Sequence, residues 1–125
     1  MAITEQRIGQ RYVAYFPVRA EWDEETGEHV VAVGETENVG PAGALVHLQQ
    51  LPRVGSRVQL NVLEEDEPTV RISAEAEVLR VERNPVQPLA ALQLVGEDDK
   101  EWRGRVWESA KTWEKDHAKF ELDED

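Results

Sequence analysis

The chain has 125 residues, no cysteine and a formal net charge of −12, from 26 acidic and 14 basic residues. That length suits one domain and is too short for two ordinary ones. The lack of cysteine excludes disulfides and thiolate metal sites, and the acidic balance opposes general nucleic-acid binding, which neutralises many phosphates with Lys and Arg.

Residues 12–22 alternate: Ala14, Phe16, Val18, Ala20 and Trp22 share one parity, with Arg19 and Glu21 on the other. Period two over this length predicts a half-buried strand. Glu24-Glu25-Thr26-Gly27 is a turn signal, and 28–38 reads as a second, Val-rich strand. A short strand over 44–50 follows the turn Gly40-Pro41-Ala42-Gly43, and Pro52-Arg53-Val54-Gly55 ends it. Val58, Leu60 and Val62 alternate up to the acidic tip at 64–68. Val70, Ile72, Ala74, Ala76 and Val78 give the cleanest alternation in the chain. Its phase is lost near Leu79, which predicts a bulge or sharp bend. Asn84-Pro85-Val86-Gln87-Pro88 turns the chain, and Ala90, Leu92 and Leu94 mark a last strand. Six short antiparallel strands with tight turns predict an all-β barrel or closed sandwich.

The period changes after Gly96. Trp102, Val106, Ala110, Trp113 and His117 recur every three or four residues, and Phe120 continues that face. This predicts an amphipathic helix over about 98–119 that caps the barrel, with Trp102, Val106 and Trp113 buried. Glu97-Asp98-Asp99 stands at its start, where the macrodipole favours negative charge. Trp107 falls off the stripe, so it is either a wedge at the helix–barrel edge or a contact for a partner. The expected organisation is one domain over 1–125. It comprises a mobile segment at 1–11, the barrel at 12–96, the helix at 97–120 and a frayed acidic tail at 121–125. The first residues lack an apolar core of signal-peptide length, and no apolar run is long enough to span a bilayer. The expected location is the cytoplasm.

Two segments carry the functional signal. Arg7-Ile8-Gly9-Gln10-Arg11 puts two guanidiniums four residues apart, in a stretch from 6 to 19 with three arginines and no acid. Asn38-Val39-Gly40-Pro41-Ala42-Gly43 is an Asn-x-Gly-x-x-Gly turn leading into Ala44-Leu45-Val46. Arg grips phosphate with a fork of donors and stacks on flat rings. Asn offers both a donor and an acceptor to a base edge. The two groups suit an anionic, planar ligand.

The two segments together resemble the signature of the PilZ domain family, Arg-x-x-x-Arg followed by Asp/Asn-x-Ser-x-x-Gly. Gly40 stands where that family has Ser. Phe16-Pro17-Val18, Thr36-x-Asn38-Val39, Leu51-Pro52-x-x-Gly55 and Ala76-x-Val78-Leu79-Arg80-Val81 resemble further pieces in the family's order, over roughly residues 6–96. The resemblance implies a six-stranded antiparallel barrel capped by a helix. It also implies a receptor for the ligand cyclic di-GMP, with no cofactor, acting on a protein partner in motility, pili, biofilm or polysaccharide machinery. By position, it makes Arg7 and Arg11 the phosphate and guanine clamps and Asn38 the reader of a guanine edge. Gly40 keeps the turn without a hydroxyl, and Gly43 supplies backbone freedom. The alternative is a protein-interaction module of the same fold that binds no nucleotide and docks a basic partner through Trp107.

Enzymatic chemistry finds no motif. Ser56, Ser73 and Ser109 lack a nucleophile context, and His29, His47 and His117 are scattered over three elements. No histidine spacing suggests a metal, and no Gly-Lys-Ser/Thr loop is present. The expectation is a binding protein and not an enzyme.

Overall fold

A computed structural model describes residues 10–64, 70–96 and 99–123. Seven strands form one antiparallel sheet: β1 (Tyr12–Val13), β2 (Pro17–Asp23), β3 (His29–Gly40), β4 (Gly43–Leu48), β5 (Arg57–Leu63), β6 (Val70–Glu82) and β7 (Leu89–Leu94). The order β3-β2-β5-β6-β7-β4 closes on itself through β3–β4 pairing, which makes a six-stranded barrel. Closure removes the free edges that an open sheet would expose.

The inward parity is the one the sequence predicts. Val18, Ala20 and Trp22 of β2, Val58, Leu60 and Val62 of β5, and Ile72, Ala74, Ala76 and Val78 of β6 are all buried. The ladder between β6 and β7 shifts register between Val78 and Arg80, and Leu79 is left exposed at 51%. The expected loss of phase near Leu79 is therefore a bulge.

The expected strand over 12–22 is split. β1 pairs Val13 with Asn38, and β2 begins only at Pro17, opposite Glu35, so both lie along the same side of β3. Between them Thr36, fully buried, keeps one backbone bond, from its N–H to the Phe16 carbonyl at 2.9 Å, and supplies the rest with its side chain. Its hydroxyl accepts the Phe16 N–H at 2.8 Å and donates to the Ala14 carbonyl. On its other side β3 shifts register against β4 between Thr36 and Asn38, a bulge at Glu37. Alternation reports which side chains face inward, and that survives the break; it cannot report that a hydroxyl stands in for a backbone pair.

The C-terminal helix starts as α1 (Asp99–Trp102), passes through a π-helical turn at Arg103–Trp107 and continues as α2 (Glu108–Asp123). It runs past the expected end near 119. Trp102, Val106 and Ala110 are completely buried. Trp113 is only half-buried, which corrects the sequence expectation. Beyond Ala110 the helix meets the N-terminal segment instead of the barrel interior, and Trp113 packs there on the edge of Tyr15 at 5.0 Å.

Thr36→Val tests the side-chain bridge. The swap keeps the shape but leaves a buried N–H and a buried carbonyl without partners. It should lower unfolding free energy by about 2–4 kcal/mol, read from urea denaturation of the two proteins.

Candidate functional site

The site lies where the N-terminal segment crosses the end of β3. β1 places Val13 opposite Asn38, so the preceding residue pair, Arg11 and Tyr12, falls beside the β3–β4 turn. The Arg11 Nε–H donates to Asn38 Oδ1 at 2.8 Å. Partial burial of the Arg11 guanidinium lowers its pKa from the ordinary value. Arginine starts so high that the group stays charged. Arg7 lies outside the described residues.

The two glycines of the turn do different work. Gly40 has no left-handed backbone angle; the glycines that do are Gly27, Gly55 and Gly96. A Cβ on Gly40 would stand 2.6 Å from the Arg11 guanidinium. The missing side chain at Gly40 is thus what gives Arg11 room to lie over the turn. A serine there fits the backbone but must move the flexible end of Arg11. Gly43 likewise has no positive φ, and a Cβ on it would collide with the Leu92 carbonyl of β7. In the structure Gly43 serves close strand approach, where the sequence reading expected conformational freedom.

The C-terminal helix holds the segment in place. Trp107 donates its indole N–H to the Gln10 carbonyl at 2.7 Å, and its ring lies 5.7 Å from that of Tyr12. Glu114 accepts the Val13 N–H at 2.9 Å. Trp107 lies off the stripe already at 3.6 residues per turn, about 100° around the helix from Val106, and it is the last residue of the π-helical turn. Val106 enters the core, and Trp107 beside it meets the N-terminal segment. Of the two roles the sequence leaves open for this indole, a wedge at the helix–barrel edge or a partner contact, its contacts with Gln10 and Tyr12 match the wedge. Glu114 was not singled out by any sequence signal, since one carboxylate among many on a helix carries no pattern.

Beside the Arg11–Asn38 pair a cavity of about 450 Å³ opens over the outer face of β3 and β4. Val13 and Tyr15 line one side, Gln87 of the 84–88 turn the other, with Glu35, Glu37, Asn38 and His47 between. His47 Nε2 pairs with Glu37 Oε1 at 2.8 Å, and its Nδ1 faces the Pro88 carbonyl at 3.3 Å. Among the described residues no group of His, Asp and Glu is arranged to hold a metal.

His29 sits at the other end of β3, some 30 Å away at strand rise. Its ring nitrogens face Asp23 at 2.8 Å and Glu21 at 3.2 Å. Bonding to Asp23, then to Glu21, raises its pKa, and the same bond to His29 is the main cause of a lowered Glu21 pKa.

The sequence model of the PilZ domain matches residues 5–106. Among solved structures, the PilZ domain of YcgR from Escherichia coli, with c-di-GMP, has a TM-score of 0.66 at 12% identity. That match covers 91% of this chain and 98% of that one. The inhibitor of motility MotI/DgrA of Bacillus subtilis has a TM-score of 0.53 at 21% identity, over 77% of this chain and 46% of that one. The MrkH–c-di-GMP complex of K. pneumonia has a TM-score of 0.50 at 11% identity, over 94% and 53%. At these identities the likeness is one of fold, and the chain spans about half the length of MotI and of MrkH. Comparison with curated protein sequences finds no match.

Two outcomes follow. Trp107→Phe keeps the ring and removes the N–H. Trypsin should then cut after Arg11 several-fold faster, while the unfolding midpoint changes little, because one hydrogen bond to an exposed strap is lost. For His29, a folded pKa above the unfolded value near 6.5 means that its stabilisation is complete below that value. It fades as pH rises through the folded pKa. Proton NMR titration should place His29 above the ordinary histidine value, and Asp23→Asn should bring it down.

Proposed function

The chain belongs to the PilZ domain family, and from that premise we propose that it is a receptor for cyclic di-GMP that acts on a partner protein. The observation that carries the reading is the 2.8 Å bond from Arg11 to Asn38. It joins a residue of the Arg-x-x-x-Arg segment to a residue of the Asn-x-Gly-x-x-Gly turn, 27 positions apart in sequence.

In this reading Arg7 and Arg11 grip the phosphates and stack on guanine, and the Asn38 amide turns from Arg11 to a guanine edge. Binding exchanges the Arg11–Asn38 bond for bonds to the ligand. The missing hydroxyl at Gly40 weakens the site by roughly three- to tenfold, the worth of one neutral hydrogen bond. No step of bond making or breaking is involved; the response is a change in the N-terminal segment. That segment is tied to the helix by Trp107 and Glu114. Its rearrangement therefore reaches the helix surface, where a partner in motility, pilus, biofilm or polysaccharide machinery would read it. An acidic body favours a basic partner face, since complementary charge speeds encounter.

Titration calorimetry of the full chain with cyclic di-GMP tests the reading. Binding in the micromolar range is expected, lost by at least tenfold in Arg11→Ala. No heat at ~100 μM ligand would leave a barrel that serves protein contacts without the nucleotide.

A further inference from the structure

We propose that Glu35 reads the guanine base in this site, and so selects guanine over purines that lack its 2-amino group; the inference rests on the cyclic di-GMP reading above. The cavity beside Arg11 and Asn38, about 450 Å³, lies in the size range of small-molecule sites. It contains two carboxylates, Glu35 and Glu37. Glu37 is taken up by His47 at 2.8 Å. Glu35 lies on the outward parity of β3, across from His47 and beside Pro17, and is exposed. Among the described residues its carboxylate has no hydrogen-bond or ion-pair partner.

A carboxylate only accepts hydrogen bonds, through two oxygens side by side. Guanine presents two adjacent donors on its Watson–Crick edge, N1–H and the 2-amino group. Adenine presents an acceptor at N1, which a carboxylate repels. Hypoxanthine keeps N1–H and lacks the amino group. Glu35 can therefore satisfy guanine with two charge-assisted bonds and hypoxanthine with one, whereas adenine offers one bond from its 6-amino group against the repulsion of N1. Tyr15 supplies the flat surface this geometry needs. It lines the same cavity, is 50% exposed, and packs at a steep angle against Trp113 with ring centroids 5.0 Å apart. The guanidinium of Arg11 nearby offsets the charge that Glu35 brings to an anionic ligand.

The test is calorimetry of the wild-type chain and Glu35→Gln with cyclic di-GMP and cyclic di-IMP. The substitution is isosteric at an exposed strand position, and a thermal melt checks the fold. Wild type should prefer the guanine ligand by about tenfold or more, the loss expected for one charge-assisted bond. In Glu35→Gln, affinity for cyclic di-GMP should fall about tenfold and that for cyclic di-IMP less than about threefold, because glutamine still accepts from N1–H. Equal wild-type affinity for the two ligands, or a preference that survives Glu35→Gln, overturns the role of Glu35 and leaves the receptor reading standing. Binding of neither ligand by wild type overturns both.

Discussion

The hydrogen bond from the Trp102 indole to the Gly40 carbonyl, 2.9 Å long and fully buried, is the interaction on which the arrangement of this molecule depends. Trp102 is the largest completely buried side chain. Its ring contributes apolar area to the core, and its N–H must find an acceptor because a buried unpaired donor costs about 1–3 kcal/mol. Gly40 ends β3, where the strand has turned and its carbonyl is available. One bond thus fixes two things: the position of the helix start on the barrel, and the backbone of the turn that carries Asn38 and Gly43. The family signature and the helix are separated by some sixty residues, yet the turn cannot shift without disturbing the helix.

The N-terminal segment is held between these two parts. Two residues of β1 are too few for a stable strand on their own. They persist because β3 pairs with one side and the helix supplies Trp107 and Glu114 to the Gln10 and Val13 backbone. Each bond is modest and solvent-accessible. A strap held this way opens at low free energy while the barrel stays closed, which is the property a ligand-responsive element needs. Neighbouring residues of the helix, Val106 and Trp107, point about 100° apart, so one serves the core and the other the strap.

The charge pattern fits a cationic site on an acidic body. Several of the carboxylates are paired: Glu21 and Asp23 with His29, Glu37 with His47, Glu64 with Arg71 and Glu75 with Arg57. Exposed pairs of this kind add little to stability. Of these pairs, only Glu37–His47 lies in the candidate cavity, where it takes up one of the two carboxylates. Arg11 is engaged differently, by a neutral amide over a glycine turn, a contact that does not neutralise its charge.

The sequence by itself determined the six strands, the inward parity of those at 14–22, 58–62 and 70–78, the bulge at Leu79 and the burial of Trp102 and Val106. These follow from local periodicity, which a strand or helix imposes on its own residues whatever surrounds it. The order of the motif pieces also pointed to the family, and two motif residues, Arg11 and Asn38, are bonded to each other in the fold. The tertiary structure decided what depends on residues far apart in the chain. Thr36 interrupts the first strand because its hydroxyl meets Ala14 and Phe16. Trp113 stays half-buried because Tyr15, and not the core, faces it. Trp107, off the core stripe by its spacing, is engaged within the chain because the fold brings the Gln10 carbonyl to its indole N–H. Gly43 is required by the Leu92 carbonyl of another strand. Glu35 became distinct from Glu37 only when the fold brought His47 to one of them. Periodicity encodes which way a side chain points; it carries no information about what the fold places opposite.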